Sequence, residues 1–470
     1  MSGLASGRDD GWDAGARIAA YAAGASAALD APTLDAVARS LADTYAVAVG
    51  GVREHAVRAA HAYVADAGLL AAPDALRAAT VWGTGRRAPP EIAAWCNGLA
   101  GHVLDYDDVT VPLRGHPSIA LWPAILALAE AHDIPGARAA SAFVVGMEVL
   151  CKLARRIGVD QYAAGWHTTA SIGALGSTAA CAHLLRLDAG QTINAIGLAV
   201  AQVAGSRENV GTEAKSFQAG QACAVGVRAA GLALAGFGAG PRALDGPYGY
   251  AQLYAAGASL TTMLAELGQT PLEIHRAGLD VKQYPMCYAT HRALDAVLAL
   301  RRQHELRAAD VRHVTVTTSQ AALTPLVHPR PSSGLEGKFS MQYAMAAALI
   351  HGHVRLSSFT DEAVRRPEAR QFLDRVTVRE AEGDITPRWA TVSLDLTDGR
   401  QLSLRVETLG GSHQQPLDDA QLAFKIDDCL RWGHRGGDGK TVLAHCRRLA
   451  QHDGRAFMDG LSTLVDGGLA

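Results

Sequence analysis

The sequence predicts a mainly α-helical protein in which a large all-helical domain carries a smaller α+β lid domain. Three observations lead to this fold class. Residues 1–264 contain successive segments rich in Ala and Leu and punctuated by Gly or Pro, which is typical of helices. Residues 265–410 contain alternating, β-branched segments that are typical of strands. Helical periodicity returns in residues 411–470, which we expect to pack back on the first helical part.

Several helices of the first part are predicted to be apolar on every side. Ile119–Ala131 and Ile193–Ala204 are the strongest examples. A helix of this kind is normally buried, so we expect both at the centre of a large helical body.

The lid combines strands with helices. Asp398-Gly399 lies between two alternating segments and is a strong hairpin turn signal. Helical patterns lie among the strands at Ala293–Gln303 and Met341–His351. The predicted strands are Val311–Thr318, Arg375–Arg379, Ala390–Leu396 and Gln401–Glu407.

Composition excludes several functional classes. The 470 residues carry a net charge of -3 and contain no basic stripe, so we expect no nucleic-acid partner. No stretch reaches the roughly 18 uncharged apolar residues of a membrane span, and the acidic N-terminus does not resemble a signal peptide. The seven cysteines form no CxxC pair, so neither a disulfide framework nor a zinc site is expected. These features favour a soluble protein of the reducing cytoplasm.

Polar clusters precede predicted helices at four places in the chain. A helix N-terminus offers unpaired N–H groups and the positive end of its dipole, which favour anions. His and Lys at such ends would add donors and positive charge, so several converging ends would hold two or three carboxylates. The clusters are Gly101–Asp108 with Arg114–Ser118, Gly165–Thr169, Gly211–Lys215, and Lys282–Cys287 ahead of His291.

Each cluster also has a plainer interpretation. The acids from Asp105 to Asp108 fit a solvated, N-capped loop, or a metal site with His116 as a further ligand. Their spacing matches no standard ligand pattern, so we predict no metal. A lone His such as His102 is often structural, and Lys215 and Lys282 fit ordinary surface lysines.

With these clusters the chain resembles the MmgE/PrpD family of dehydratases, decarboxylases and epimerases. Six blocks in the same order carry the resemblance, which covers most of residues 15–430. They are NGLAGHVLDYDD at 97–108, GHPSIALWPAILALAE at 115–130, GWHTTASIGALGSTAACAHLLRL at 165–187, GTEAKSFQAGQACAVGVRAA at 211–230, KQYPMCYATHRALDA at 282–296 and KFSMQYAMAAAL at 338–349.

The resemblance implies the two-domain fold given above, a homodimer and no required cofactor. It also implies a catalytic site that the motifs place residue by residue. The implied residues are Asp105 of DYDD, His116 of HPS, His167 of GWH, Lys215 of GT-x-x-K, Lys282 of K-x-Y-P and Tyr343 of S-x-Q-Y. Thr168, beside His167, is placed with the substrate-binding residues.

The chain departs from the family pattern at three positions. The family's decarboxylases carry His where this chain has Cys287, and Thr directly after the two acids where it has Val109. The loop before His116 differs from that of the dehydratases and carries Arg114, which would bind a carboxylate bidentately or pair with a surface acid. The resemblance therefore indicates the class of chemistry better than the substrate.

The predicted function is a cofactor-independent lyase, a dehydratase or decarboxylase, that acts on a small di- or tricarboxylate by acid/base catalysis. His116 and His167 are the candidates for proton transfer because imidazole titrates near neutral pH. Lys215 and Lys282 would stabilise developing negative charge, Tyr343 would donate a proton or a hydrogen bond, and Asp105 would orient a neighbour. The alternatives are an epimerase of an α-substituted dicarboxylate such as iminodisuccinate and a non-catalytic carboxylate-binding protein.

Overall fold

The computed structural model describes residues 13–26, 28–72 and 75–466. Helices dominate these residues, as predicted. The α-helices are α1 Ala14–Gly24, α2 Ala31–Gly51, α3 His55–Asp66, α4 Pro90–His102, α5 Pro117–His132, α6 Gly136–Ala163, α7 Thr168–Leu184, α8 Ala189–Val200, α9 Ala214–Leu234, α10 Tyr250–Ala255, α11 Thr261–Leu264, α12 Glu273–Arg276, α13 His291–Gln303, α14 Gly334–Gly337, α15 Met341–His351, α16 Asp361–Arg365, α17 Pro367–Leu373, α18 Asp419–Trp432, α19 Gly439–Cys446 and α20 Gly454–Asp466.

Six strands complete the regular structure of the described residues. They are β1 Ala79–Val81, β2 Arg86–Ala88, β3 Val311–Thr318, β4 Val376–Glu380, β5 Ala390–Leu396 and β6 Gln401–Val406. Short 3₁₀ turns lie at Arg207–Asn209, Tyr288–Thr290, Ala308–Asp310, Leu356–Phe359 and Leu449–Gln451.

The centre of the helical body is α5. Every residue of α5 except its last, His132, is buried, which confirms the expectation for Ile119–Ala131. Helices α4, α7 and α9 pack around it. From the C-terminal part, α18 packs on α2 and α20 on α5, so the chain end returns to the first helical part as predicted.

Two expectations for the helical body were wrong. Helix α8 ends at Val200 rather than Ala204, and Ile193 and Leu198 are only half-buried, because α8 lies at the side of the body. The pair β1 and β2 interrupts the helices with an antiparallel ladder from Ala79↔Ala88 to Val81↔Arg86. Strands of three residues are too short to show an alternating pattern.

The second part of the chain contains a four-stranded sheet with the order β4-β3-β5-β6. Strand β3 pairs parallel with β4 and antiparallel with β5, and β5 and β6 form the hairpin that Asp398-Gly399 predicted. Gly399 supplies the positive φ of 91° that the turn needs. One face of β5 is fully buried against α13 and α15, which were both predicted.

The described residues contain two hydrophobic cores. The first core contains most of the helical body. Ile274 also belongs to this core, and Leu272 and Val281 pack against it. The second begins at Met286 and contains the sheet with α13 and α15. The mainly α-helical fold with a smaller α+β part is therefore confirmed, whereas the limits 265–410 and the motion of that part as a lid stay predictions.

In the described residues no helix is both long enough and apolar enough to cross a bilayer. All seven cysteines are buried and free, in line with the predicted lack of disulfides. The N-terminal segment that lacks a signal-peptide pattern lies mostly outside the described residues.

Candidate active site

Four helix ends meet where the sequence predicted polar clusters. Helix α4 ends at His102, His116 is the N-cap residue of α5, His167 is the N-cap residue of α7, and Lys215 lies in the first turn of α9. Gly115 permits this approach, since a side chain there would lie 2.6 Å from the hydroxyl of Thr169 in α7. The polar side chains of three distant segments thereby face one another.

Asp105 lies at the centre of this cluster and pairs with two lysines. The Lys215 Nζ donates to its Oδ1 at 2.5 Å, and the Lys282 Nζ donates to its Oδ2 at 3.1 Å and to its carbonyl oxygen at 2.7 Å. Asp105 adopts a left-handed φ of 52°, which a residue with a side chain holds only when contacts support it. Burial alone would raise the pKa of Asp105, but the two ammonium groups hold it well below its usual range.

Asp107 connects two histidines. Its Oδ2 lies 2.7 Å from the Nδ1 of His102 and 3.2 Å from the Nδ1 of His116, and the two rings meet edge to face at 4.5 Å. A carboxylate at Nδ1 favours the tautomer with its proton on that atom, so the Nε2 of His116 is left as the basic nitrogen. That Nε2 lies 4.0 Å from Asp105.

His167 is oriented by an amide. Its Nδ1 lies 2.7 Å from the Oε1 of Gln218, whose Nε2 donates to the carbonyl oxygen of Ser206 at 3.0 Å. The amide is thereby fixed with its oxygen toward the ring, so Nδ1 donates and Nε2 is the basic nitrogen. The ring stacks on His102 with centroids 5.6 Å apart, which places three imidazoles beside one another.

Burial keeps these imidazoles neutral at pH 7. Desolvation lowers the pKa of His116, lowers that of His167 well below 6.5 and lowers that of His102 to about 4. Lys215 further lowers the pKa of all three imidazoles, whereas Asp107 acts to raise the pKa of His102 and His116. The neutral histidines are therefore proton acceptors.

The third acid of the DYDD block has another role. Asp108 accepts hydrogen bonds from the hydroxyl and the N–H of Ser118 at the start of α5. Burial and the neighbouring Asp43 raise the pKa of Asp108 to about 8, despite these bonds. Asp108 is therefore a buried cap of α5.

Of the other predicted site residues, Cys287, Thr168 and Arg114 lie beside the cluster. Burial raises the pKa of the Cys287 thiol to about 11, and the hydroxyl of buried Thr168 donates to the Arg114 carbonyl oxygen at 3.5 Å. The guanidinium of Arg114 lies 6.0 Å from the ring of Tyr162, and the residue is partly exposed. Its role in binding a carboxylate stays a prediction.

Tyr343 is placed in the second hydrophobic core. Its hydroxyl donates to the carbonyl oxygen of Ser358 at 2.5 Å, and its ring lies 5.9 Å from that of Phe359. A proton-transfer role for Tyr343 would require this hydrogen bond to break. That role stays a prediction.

A cavity that is partly open to solvent adjoins the cluster. The polar lining residues that were not assigned to the site from the sequence are Glu54, His55, His102, Thr212, Glu213, Ser216 and Lys338. His102 was named in the first polar cluster only as a lone His that is often structural, and Lys338 opens a block whose recognised residue is Tyr343. The cavity is lined by His102, Asp105, Lys215, Lys338, Phe339 and Phe359, among others.

By geometry, a metal ion would fit among His102, Asp107 and His116, whose ligand atoms lie within 4.8 Å of one another. The Oδ2 of Asp107 already accepts the Nδ1 hydrogen bond of His102, so the arrangement of these groups needs no ion. We expect exhaustive chelation to leave turnover unchanged. Loss of activity on chelation and its recovery with a divalent ion would make this prediction wrong.

Comparisons with known proteins cover most of the chain. The model of the MmgE/PrpD N-terminal domain matches residues 16–263, and that of the MmgE/PrpD C-terminal domain matches residues 284–439. The cis-aconitate decarboxylase of Mus musculus is 30% identical over 373 residues, which cover 74% of this chain and 73% of the relative. The Homo sapiens enzyme is 29% identical with 74% of each chain covered, and that of Aspergillus terreus is 26% identical with 74% and 76% covered.

Proposed function

The chain belongs to the MmgE/PrpD family, and from that premise we propose that it is a lyase that decarboxylates a small tricarboxylate, with cis-aconitate as the first substrate to test. The observation that carries the proposal is the buried set of imidazoles around the Asp105 pair with Lys215 and Lys282. The relatives that share three quarters of the chain bear the name of this reaction.

Decarboxylation needs fixed positive charge where negative charge develops. The carbon–carbon bond to the departing carboxylate breaks, its electron pair stays on the carbon skeleton, and CO₂ leaves. A proton then adds to the skeleton and gives a five-carbon dicarboxylate. Lys215, which is 8% exposed and lines the cavity, is in position to hold a retained carboxylate and stabilise this charge.

The proton comes from a histidine that becomes protonated when the substrate binds. His116 and His167 are neutral in the free enzyme, but the three carboxylates of a bound substrate would favour the imidazolium form. The basic Nε2 of either ring would take up a proton as the substrate enters and give it to the carbon skeleton. Asp107 would stabilise the charged form of His116, from which it is 3.2 Å away.

A second candidate is the epimerisation of an α-substituted dicarboxylate. Cys287 and Val109 stand where the family's decarboxylases carry His and Thr, and two neutral imidazoles suit the removal and return of an α-proton. Dehydration of a hydroxy acid is the third reaction that the same groups would support.

Proton NMR of the enzyme with candidate acids in deuterated buffer separates these reactions. We expect cis-aconitate to lose one carboxylate and gain one solvent deuteron on carbon. Loss of water from a hydroxy acid would favour a dehydratase, and deuterium exchange without a change in connectivity would favour an epimerase. Line broadening alone would indicate a carboxylate-binding protein and would contradict the proposal.

The pH dependence of kcat/KM reports the free enzyme and follows from the lowered pKa values of the histidines. Since few free molecules carry the proton, we expect kcat/KM for decarboxylation to fall by up to about tenfold per pH unit from pH 6.5 to 8, with kcat falling less. A flat kcat/KM in this window would mean that the imidazoles act as bases, as in an epimerase.

Lys215 and Lys282 are expected to differ in their effects. Lys215→Ala should weaken substrate binding by ~1.5–3 kcal/mol, seen as a higher KM, because a charge-assisted bond is lost. Lys282 is 1% exposed and both of its contacts are to Asp105, so Lys282→Ala should mainly lower the melting temperature. Exposed Lys440→Ala is the control. An unchanged KM in Lys215→Ala would contradict its role.

The homodimer, the cytoplasmic location and the independence from cofactors stay predictions that the comparisons do not test.

A further inference from the structure

Lysine is rare in this chain and occurs mostly at buried positions. The sequence contains six lysines, and five of them are buried. Four of these five pair with carboxylates, since Lys152 contacts Glu266 and Glu273, Lys425 contacts Asp43, and Lys215 and Lys282 contact Asp105. The fifth, Lys338, forms no ion pair with the residues that the structure describes.

Lys338 lies between the segments that build the site. Its Nζ donates to the carbonyl oxygen of Leu104, the residue before Asp105, and its own carbonyl oxygen accepts the N–H of Cys287 at 3.0 Å. The Nζ also lies 5.6 Å from the centre of the Phe359 ring. Its side chain lines the cavity that Asp105 and Lys215 line.

No carboxylate of the described residues forms a direct ion pair with this ammonium group, although Glu54 lines the same cavity. A neutral carbonyl and an aromatic face compensate its desolvation less well than a carboxylate does. Burial lowers the pKa of Lys338 to about 8, with Lys282 and Lys215 adding to the effect and Glu54 and Asp105 opposing it. An anion beside this Nζ would raise its pKa back toward the ordinary range.

We infer that Lys338 binds a second carboxylate of the substrate, in the cavity that Asp105 and Lys215 also line. This inference rests on the proposed function, in which Lys215 and the histidines serve the reacting end. Phe339 and Phe359, each facing one of the two lysines at 6.0 and 5.6 Å, would contact the carbon chain between the carboxylates. Two lysines in the lining of one cavity thereby favour small acids with at least two carboxylates.

The test is calorimetric binding of tricarballylate, a saturated tricarboxylate. We expect Lys338→Met to raise its Kd about 10- to 100-fold and Lys338→Arg to raise it less, because Arg keeps the charge. The melting temperature of Lys338→Met should stay level or rise, since an unpaired buried charge is removed. Lys440→Met, at an exposed position, is the matched control and should bind as the wild type does.

A Kd of Lys338→Met within about twofold of the wild-type value would overturn the inference. If Lys338→Met does not fold, Lys338→Gln keeps a donor for Leu104 without the charge, and the same loss of affinity is expected. Wild-type protein that neither binds tricarballylate nor turns over any tricarboxylate would contradict the proposed function itself. If the wild type binds tricarballylate and Lys338→Met binds it equally well, only the role of Lys338 would be contradicted.

Discussion

Replacing His116 or His167 by Gln is expected to lower kcat by about 10²–10⁴, the usual contribution of one general acid or base. Both basic Nε2 atoms belong to buried rings whose Nδ1 atoms lie beside Asp107 and Gln218. Gln retains polarity and similar reach but does not transfer a proton near pH 7. KM should change much less, because the lost proton transfer stabilises the transition state and not the bound substrate.

The control for these variants is a buried histidine away from the site. His445 in α19 lies 3.0 Å from the carbonyl oxygen of Phe457 and stacks on its ring. His445→Gln should lower the melting temperature and leave kcat within a few-fold. The same pattern in His116→Gln and His167→Gln, near-normal kcat per folded molecule at a lower melting temperature, would show that these imidazoles are structural.

Asp105→Asn is expected to reduce the free energy of unfolding by about 3–5 kcal/mol, the usual effect of removing one partner of a buried ion pair. The variant leaves Lys215 and Lys282 buried without a carboxylate, although Asn preserves the shape. Urea denaturation measures the change. Asp374→Asn removes an exposed pair with Arg330 and should change stability by less than about 1 kcal/mol.

The difference in the free energy of unfolding between the wild type and Asp105→Asn should depend on pH. The pKa of Asp105 in the folded protein is lower than in the unfolded chain, so its stabilisation is complete above about pH 4, the unfolded value. It is lost as the pH falls toward the folded value, and the two unfolding curves should converge on acidification. Equal stability of the two proteins at pH 7 would contradict the central position of Asp105.

Much of the fold could be predicted from local patterns. The alternation in β3 and β5 and the turn at Asp398-Gly399 depend only on neighbouring residues, as does the uninterrupted apolar run of α5. The short pair β1 and β2 carries no such pattern. The burial of α8 depends on its place at the side of the body, which its own residues do not specify.

The motifs predicted the segments of the site but not the links between them. Asp107 contacts His116 only because the end of α4 and the start of α5 face each other, and no spacing along the chain indicates this contact. Lys338 contacts Leu104, which lies 234 residues away in the sequence. Its scarcity as one of six lysines was the available signal.

The most direct test of the central claim is the amount of CO₂ released per cis-aconitate consumed. The wild-type protein should release one CO₂ for each molecule of cis-aconitate, and the double variant His116→Gln/His167→Gln, shown to be folded by circular dichroism, should release almost none. Consumption without CO₂, or equal release by the folded double variant, would contradict the proposal that this site decarboxylates a tricarboxylate.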